Sequence, residues 1–246
     1  MHRFYVDTSS IEEEYIVVTG SDVNHIKNVL RLSPSDQIIV CDGKGKDYNC
    51  IIKDIKSKEV LVKIVDFTTN ETELSTKIYL FQGMPKKDKM EWIIQKAVEL
   101  GVYEIIPVTT KRTIVKINDK KKEKNKLERW QSIATAAAKQ SNRGIIPSIR
   151  EVLSFQDALE WSKELECKLI PYENAEGIEA TRETIHNLKG KKSIGIFIGP
   201  EGGFEEEEVG QASEKGFIPI TLGRRILRTE TAGLAVLSMA MLELEQ

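Results

Sequence analysis

A chain of 246 residues with 40% hydrophobic side chains is long enough for one large packed domain or two modest ones, and its formal charge of -2 gives no overall attraction for nucleic acid. Any RNA-binding role has to come from how the 30% of charged residues are distributed. The three cysteines (Cys41, Cys50, Cys167) and three histidines (His2, His25, His186) have no metal-ligand spacing, and no apolar run has signal-peptide or bilayer-crossing character; the expectation is a reduced, cytoplasmic protein with no metal and no membrane association.

Up to about residue 68 the pattern is strand-like, in the runs "RFYV", "YIVV", "QIIVCD", "DYNCIIKDI" and "EVLVKIVDF", with "DGKGKD" as a turn. One helix, "DVNHIKNVLRL", interrupts them. Ser21 or Asp22 can cap it, Ile26, Val29 and Leu30 share a face, and Lys27 and Arg31 lie on the polar side. This predicts a small β-rich domain over residues 1–70. The stretch "TTNETELS", residues 68–75, has little to bury and reads as a linker.

Residues 76–246 change grammar. Strand "KIYLFQG" is followed by helix "DKMEWIIQKAVELG", strand "EIIPVTT", a long basic helix from about Asp119 to Gln140 and helix "FQDALEWSKEL". Then come strands "CKLIPYE" and "SIGIFIGP", helix "EEEEVGQASEKG", strand "FIPITLG" and a closing helix "TAGLAVLSMAMLEL". Such alternation predicts an α/β fold, a parallel sheet with helices on both faces. Ligands of these sheets bind beyond the carboxyl ends of the strands, where "PYENAEG", "GPEGG" and "LGRRILRTETAG" fall.

The "GPEGG" turn invites a phosphate reading, but it carries neither usual phosphate-loop pattern, and Glu205, Glu206, Glu207 and Glu208 occupy the helix start that would meet the phosphate. A ligand that approaches backbone closely without much negative charge fits better, a sulfonium cofactor among them. A strand-to-helix turn that needs glycine only for its own dihedrals remains the alternative for this stretch in isolation.

Taken together, "GPEGGFEEEEV", "LGRRILRTETAG", "KMEWIIQKAVELGV", "IIPVTTKRT", "HRFYV" and "HIKNVLRL" resemble the ribosomal RNA small subunit methyltransferase E family, in the SPOUT class of RNA methyltransferases, over nearly the whole chain. The resemblance implies a PUA-like β-barrel followed by an α/β domain with a C-terminal trefoil knot, a homodimer, S-adenosylmethionine as cofactor, and methylation of N3 of a uridine in 16S rRNA within the small ribosomal subunit. It places Gly199, Pro200, Glu201, Gly202 and Gly203, with Leu222, Gly223, Ile226 and Leu227, at the cofactor, and Tyr172 and Glu173 at its border. Two positions depart from the family pattern: Lys139 stands where a glutamate is usual, and Ser35 where glycine is common, while Gln140, Ser141 and Arg143 match.

Methyl transfer from a sulfonium is an in-line displacement, and uridine N3 carries a proton that a base or water must take. Arg228 and Glu230 are the candidates, the guanidinium for charge on the uracil oxygens and the carboxylate as acceptor or as orienter of Arg228. Glu201 competes as base, and Glu230 has the alternative of capping the helix at Thr231. For RNA, Arg3, His25, Arg31, Arg112 and Arg143 are candidate contacts, and the basic run from Lys111 to Arg129, with Lys86, Lys87 and Lys89, is either a phosphate-binding surface or a solvated face. The closing helix is apolar nearly all round, as a core helix or a dimer interface would be. An RNA-binding assembly factor without cofactor binding, or a methyltransferase for another RNA position, is the competing reading.

Overall fold

The computed structural model describes residues 1–115, 119–175 and 177–245. These divide into two compact units, 1–73 with 138–146, and 74–137 with 147–246.

The first unit is a five-stranded sheet of β1 (His2–Tyr5), β2 (Tyr15–Thr19), β3 (Gln37–Cys41), β4 (Lys46–Ile55) and β5 (Glu59–Thr69), in the order β1-β3-β4-β5-β2. All pairings are antiparallel except β1 with β3. Two register shifts in the β4–β5 ladder, at Asn49/Cys50 and Ile52/Asp54, mark the kind of irregularity that bends and twists a sheet. Its buried side chains, among them Ile16, Ile38, Val40, Ile52, Val60 and Val62, line one core. Thr68 and Thr69, read from sequence as linker, extend β5.

The helix expected at "DVNHIKNVLRL" is short: α1 (Ser21–Asn24) runs into a π-helical turn over His25–Val29. Its cap is Gly20, at φ 74°, and neither Ser21 nor Asp22 caps it by side chain. Val29, expected on the apolar face, is exposed, because the wider π turn rotates it away from Ile26. Ser35 has φ 82°, a left-handed backbone in which glycine would carry no steric cost.

The second unit contains β6 (Lys77–Gly83), α2 (Lys89–Glu99), β7 (Glu104–Thr109), α3 (Lys120–Gln140), β8 (Ser148–Ile149), β9 (Leu153–Ser154), α4 (Phe155–Trp161), β10 (Cys167–Pro171), α5 (Ile178–His186), β11 (Ser193–Ile198), α6 (Glu206–Glu214), β12 (Ile218–Ile220) and α7 (Thr229–Leu244). The last three residues of α3 belong to the first unit. The sheet order is β12-β10-β11-β6-β7-β8, with β9 also on β7, and every pairing is parallel.

From β6 the chain steps outward to β7 and β8, then returns to the other side of β6 for β10, β11 and β12. The order therefore reverses between β6 and β11, the position at which sheets of this class open a crevice. Phe81 and Phe197, stacked at 4.5 Å, lie on one face under α4 and α6. Ile198 points to the other face, toward Gly233 of α7. Helix α5 was not foreseen; its Thr181 hydroxyl binds the backbone of Thr221 at 3.0–3.1 Å and anchors the chain just after β12.

Candidate active site

Four loops leave the carboxyl ends of β6, β10, β11 and β12. Two adjoining cavities of about 230 Å³ each lie among the last three. Gly199, Pro200, Glu201, Gly202 and Gly203 line the first, Leu222 and Gly223 the second, and Ile226 and Leu227 both. All nine residues that the resemblance placed at the cofactor are thus brought together, with Tyr172 and Glu173 shared by both cavities.

The glycines are packing requirements as well as room for a ligand. A Cβ on Gly199 would lie 3.0 Å from Gly203, one on Gly202 3.2 Å from the Arg112 side chain, and one on Gly83 2.7 Å from Pro200. Behind them runs a hydrogen-bonded chain that sequence reading missed. Gln82, fully buried, donates from Nε2 to Thr229 Oγ1 at 2.9 Å, and Thr229 Oγ1 donates to the Gly199 carbonyl at 2.6 Å. It ties the end of β6 and the start of α7 to the "GPEGG" turn. The only sequence signal was a glutamine in an otherwise apolar central strand.

Three of the four glutamates that argued against phosphate have a structural task. Glu205 is the N-cap of α6 and forms a reciprocal capping box with Glu208. Glu208, buried, also accepts the Lys111 backbone N–H at 2.8 Å, and Glu207 pairs with the Lys111 ammonium. Arg112 grips Glu205 with Nε at 2.9 Å and Nη2 at 3.0 Å, and donates from Nη1 to the Gly202 carbonyl at 2.6 Å. Hydrogen bonding from that guanidinium holds the Glu205 carboxyl below its ordinary range. Arg112, expected at RNA, is therefore committed to the cavity wall.

Lys89 Nζ stands 3.2 Å from Glu201 and 3.2 Å from Glu230, so one ammonium joins the "GPEGG" turn to the first turn of α7. Glu230 does not cap the helix; the N-cap is Arg228, without a side-chain bond. Glu230 instead faces a neighbouring cavity lined by Lys89, Trp92 and Thr231. Glu201 also receives the Lys86 backbone N–H at 3.0 Å. Burial pushes the Glu201 carboxyl upward, but those backbone donors and Lys89 outweigh it and leave it below the ordinary carboxylate range. Arg228 is exposed, outside both main cavities, and has no ion pair among the described residues.

In the first unit, Arg143 is 3% exposed and bonds Glu73 through Nη2 at 2.5 Å and Nε at 3.1 Å. Glu73 also accepts the backbone N–H groups of Gly144 and Ile145, and Tyr5 OH donates to the carbonyls of Arg143 and Ala138. Arg143, expected at RNA, is thus buried, its guanidinium clamping residues 138–146 in place. Arg3 is likewise drawn in, 2.6 Å from Asp47 and 3.0 Å from the Asn142 carbonyl, with its side chain 13% exposed. His25 and Arg31 are exposed, Arg31 at φ 54°. Lys139, in the position where glutamate is usual, pairs with Asp22 at 3.1 Å.

Of the basic run, Lys116 lies outside the described residues; Arg129 pairs with Glu91, Lys124 with Glu128, and Lys120, Lys121 and Lys122 are exposed. Among the described residues, no three His, Cys, Asp or Glu side chains gather as a metal site, and no helix is long and apolar enough to cross a membrane.

The family described as RNA methyltransferase domain matches residues 72–241, and that described as RNA methyltransferase PUA domain matches residues 18–65. A crevice at the reversal of a parallel sheet, joined in one chain to a PUA domain, thus defines the class: an RNA methyltransferase. The chain is 39% identical to ribosomal RNA small subunit methyltransferase E of Bacillus subtilis (strain 168), over 97% of this chain and 95% of that protein. Its fold matches the crystal structure of a ribosomal RNA small subunit methyltransferase E from Neisseria gonorrhoeae bound to S-adenosyl methionine, with TM-score 0.81, 34% identity and coverage of 97% and 95%. A putative methyltransferase from Legionella pneumophila in complex with the bound cofactor SAM matches with TM-score 0.82, 31% identity and coverage of 97% and 96%. The chain belongs to the ribosomal RNA small subunit methyltransferase E family.

Proposed function

We propose that the protein transfers a methyl group from S-adenosylmethionine to N3 of a uridine in 16S rRNA within the small ribosomal subunit, acting as a cytoplasmic homodimer. The observation that carries this reading is the convergence of two loops, separated in the chain by α6 and β12, on one pair of adjoining cavities. The residues present fit the cofactor. Ile198, Phe204 and Leu227 supply apolar walls for an adenosyl group, and the carboxylates of Glu173 and Glu201 favour a cation. When bound, the sulfonium supplies an electrophilic methyl group and a neutral thioether leaving group.

The chain's own contribution is alignment, exclusion of water and management of one proton. Glu230 accepts the N3 proton, oriented by Lys89 at 3.2 Å. Glu201 suits that role less, because its lowered pKa makes it a weak base and its oxygens already receive both the Lys86 backbone N–H and Lys89. Arg228, with no carboxylate among the described residues to neutralise it, stabilises charge on the uracil carbonyl oxygens. The first unit holds RNA through its exposed residues, His25 and Arg31 among them.

Helix α7 buries Val236, Leu237, Ala240 and Leu244 but leaves Leu242 79% exposed, and a second copy of the chain covers that face in this reading. The trefoil knot implied by the resemblance belongs to the same reading, in the C-terminal part of the second unit.

Mass spectrometry of rRNA nucleosides from cells lacking the protein tests the reaction: 3-methyluridine is lost and returns with the wild-type gene. Persistence of 3-methyluridine, together with no heat of S-adenosylmethionine binding in calorimetry, would leave an RNA-binding assembly factor.

A further inference from the structure

The chain has ten arginines, and the fold sorts them sharply. Arg3, Arg112, Arg129, Arg143, Arg150 and Arg182 each make an ion pair within 4.0 Å. Among the described residues, the four that make none are Arg31, Arg224, Arg225 and Arg228, so three of the four fall within five consecutive residues. In a chain with two more acidic than basic side chains, carboxylates are abundant enough that this clustering needs a cause.

Arg228 is accounted for by the reacting base. Arg224 and Arg225 are exposed on the wall of the second cavity, between Gly223, whose φ of 97° turns the chain, and Ile226, which is 90% exposed. The loop is held at both ends, by the Gly223 N–H bond to Thr221 Oγ1 at 3.3 Å and by the Thr229 bond to Gly199. Among the described residues, the one acidic side chain sharing that cavity, Glu173, pairs with neither arginine. Two adjacent guanidiniums therefore stand, among the described residues, without counter-charge on an anchored loop, at the second of the two adjoining cavities.

We propose that Arg224 and Arg225 grip the RNA phosphodiesters flanking the target nucleotide, which rests on the reading of this site as an RNA methyltransferase centre. A guanidinium fork matches two phosphate oxygens, and neutralising a phosphate releases bound counterions. The grip sets the strand against the cavity mouth, so recognition of the backbone and delivery of the base come from one loop. It also relocates RNA contact from Arg3, Arg112 and Arg143, whose guanidiniums carboxylates already hold.

The test compares the wild type, R224Q/R225Q and R224K/R225K on small subunits purified from cells lacking the protein. For the glutamine variant, KM for the subunit rises about tenfold, and the slope of log KM against log salt falls by about 0.7–0.9 per arginine removed. The kcat stays within about threefold and the calorimetric Kd for S-adenosylmethionine within about twofold, on the same principle that phosphate contacts position without doing the chemistry. The lysine variant keeps most of the slope.

An unchanged KM and slope in R224Q/R225Q overturns the proposal. So does a weakened S-adenosylmethionine Kd with an unchanged slope, which would give the guanidiniums to the cofactor's carboxylate. Filter retention of the subunit reads the same slopes without turnover. A wild type that binds subunits but neither binds S-adenosylmethionine nor methylates them defeats the methyltransferase reading, and its slope difference from R224Q/R225Q still decides the grip.

Discussion

Arg143, in the segment folded into the first unit, is 3% exposed and has its guanidinium against Glu73, whereas Arg225, on the cavity wall, is exposed and has no ion pair among the described residues. The two side chains are chemically identical, and their surroundings give them opposite tasks. Glu73 also takes two backbone N–H groups, so the Arg143 pair is one corner of a satisfied polar network. Such a network fixes a segment in place. An arginine left without counter-charge at a cavity fixes nothing internally and is available to an anion. Positive charge in the sequence thus marks a binding surface only where no carboxylate has already claimed it.

The largest effect is expected at Arg143. Removing the guanidinium in R143M leaves the Glu73 carboxylate largely buried without its main counter-charge, and urea unfolding should register a loss of about 3 kcal/mol. A loss near zero would mean that Arg143 behaves like the exposed arginines. At the active centre, E230Q should lower kcat about 10²-fold on small subunits while the S-adenosylmethionine Kd stays within about twofold, as expected for a proton acceptor. E201Q should lower kcat less than E230Q; the reverse ranking would move the base to Glu201.

G83A comes next. Its new Cβ meets Pro200 backbone and ring atoms at 2.7 Å, which no flexible side chain can relieve, and a cost of about 1–3 kcal/mol should appear together with weaker cofactor binding in calorimetry. The smallest effects belong to exposed or partly exposed pairs. R112Q should lower the thermal midpoint slightly at low salt and not at about 1 M salt, where exposed ion pairs are screened. Glu201 has a lowered folded-state pKa, so its stabilising contribution is present above the unfolded value of about 4.3 and is lost as pH falls through the folded one. The difference in thermal midpoint between the wild type and E201Q should therefore shrink on acidification below about pH 4.

The arrangement of strands and helices could largely be read from periodicity, because strands such as Ser193–Ile198 and helices such as Lys89–Glu99 bury the faces that their patterns mark. Helix α5 escaped notice. Its apolar positions, Ile178 and Ile185, are separated by polar residues, and one buried position is Thr181. Strands of two residues, β8 and β9, are too short to carry any period. The loops proposed for the cofactor carry motifs legible in the sequence, and the geometry gathers them around adjoining cavities. The state of each charge was not legible, because it depends on partners distant in sequence: Arg143 on Glu73, Arg112 on Glu205, and Lys89 on Glu201 and Glu230.

The hydrogen bonds from Gln82 through Thr229 to Gly199 have a thermal consequence. They order two walls of the main cavity when the chain folds, so little of that ordering remains to be done when a ligand arrives. Binding there should carry a small loss of backbone entropy, and amide exchange at the "GPEGG" turn should be slow before any ligand is added. What mobility the site keeps would then be confined to the rim around Ile226, through which a ligand enters and leaves.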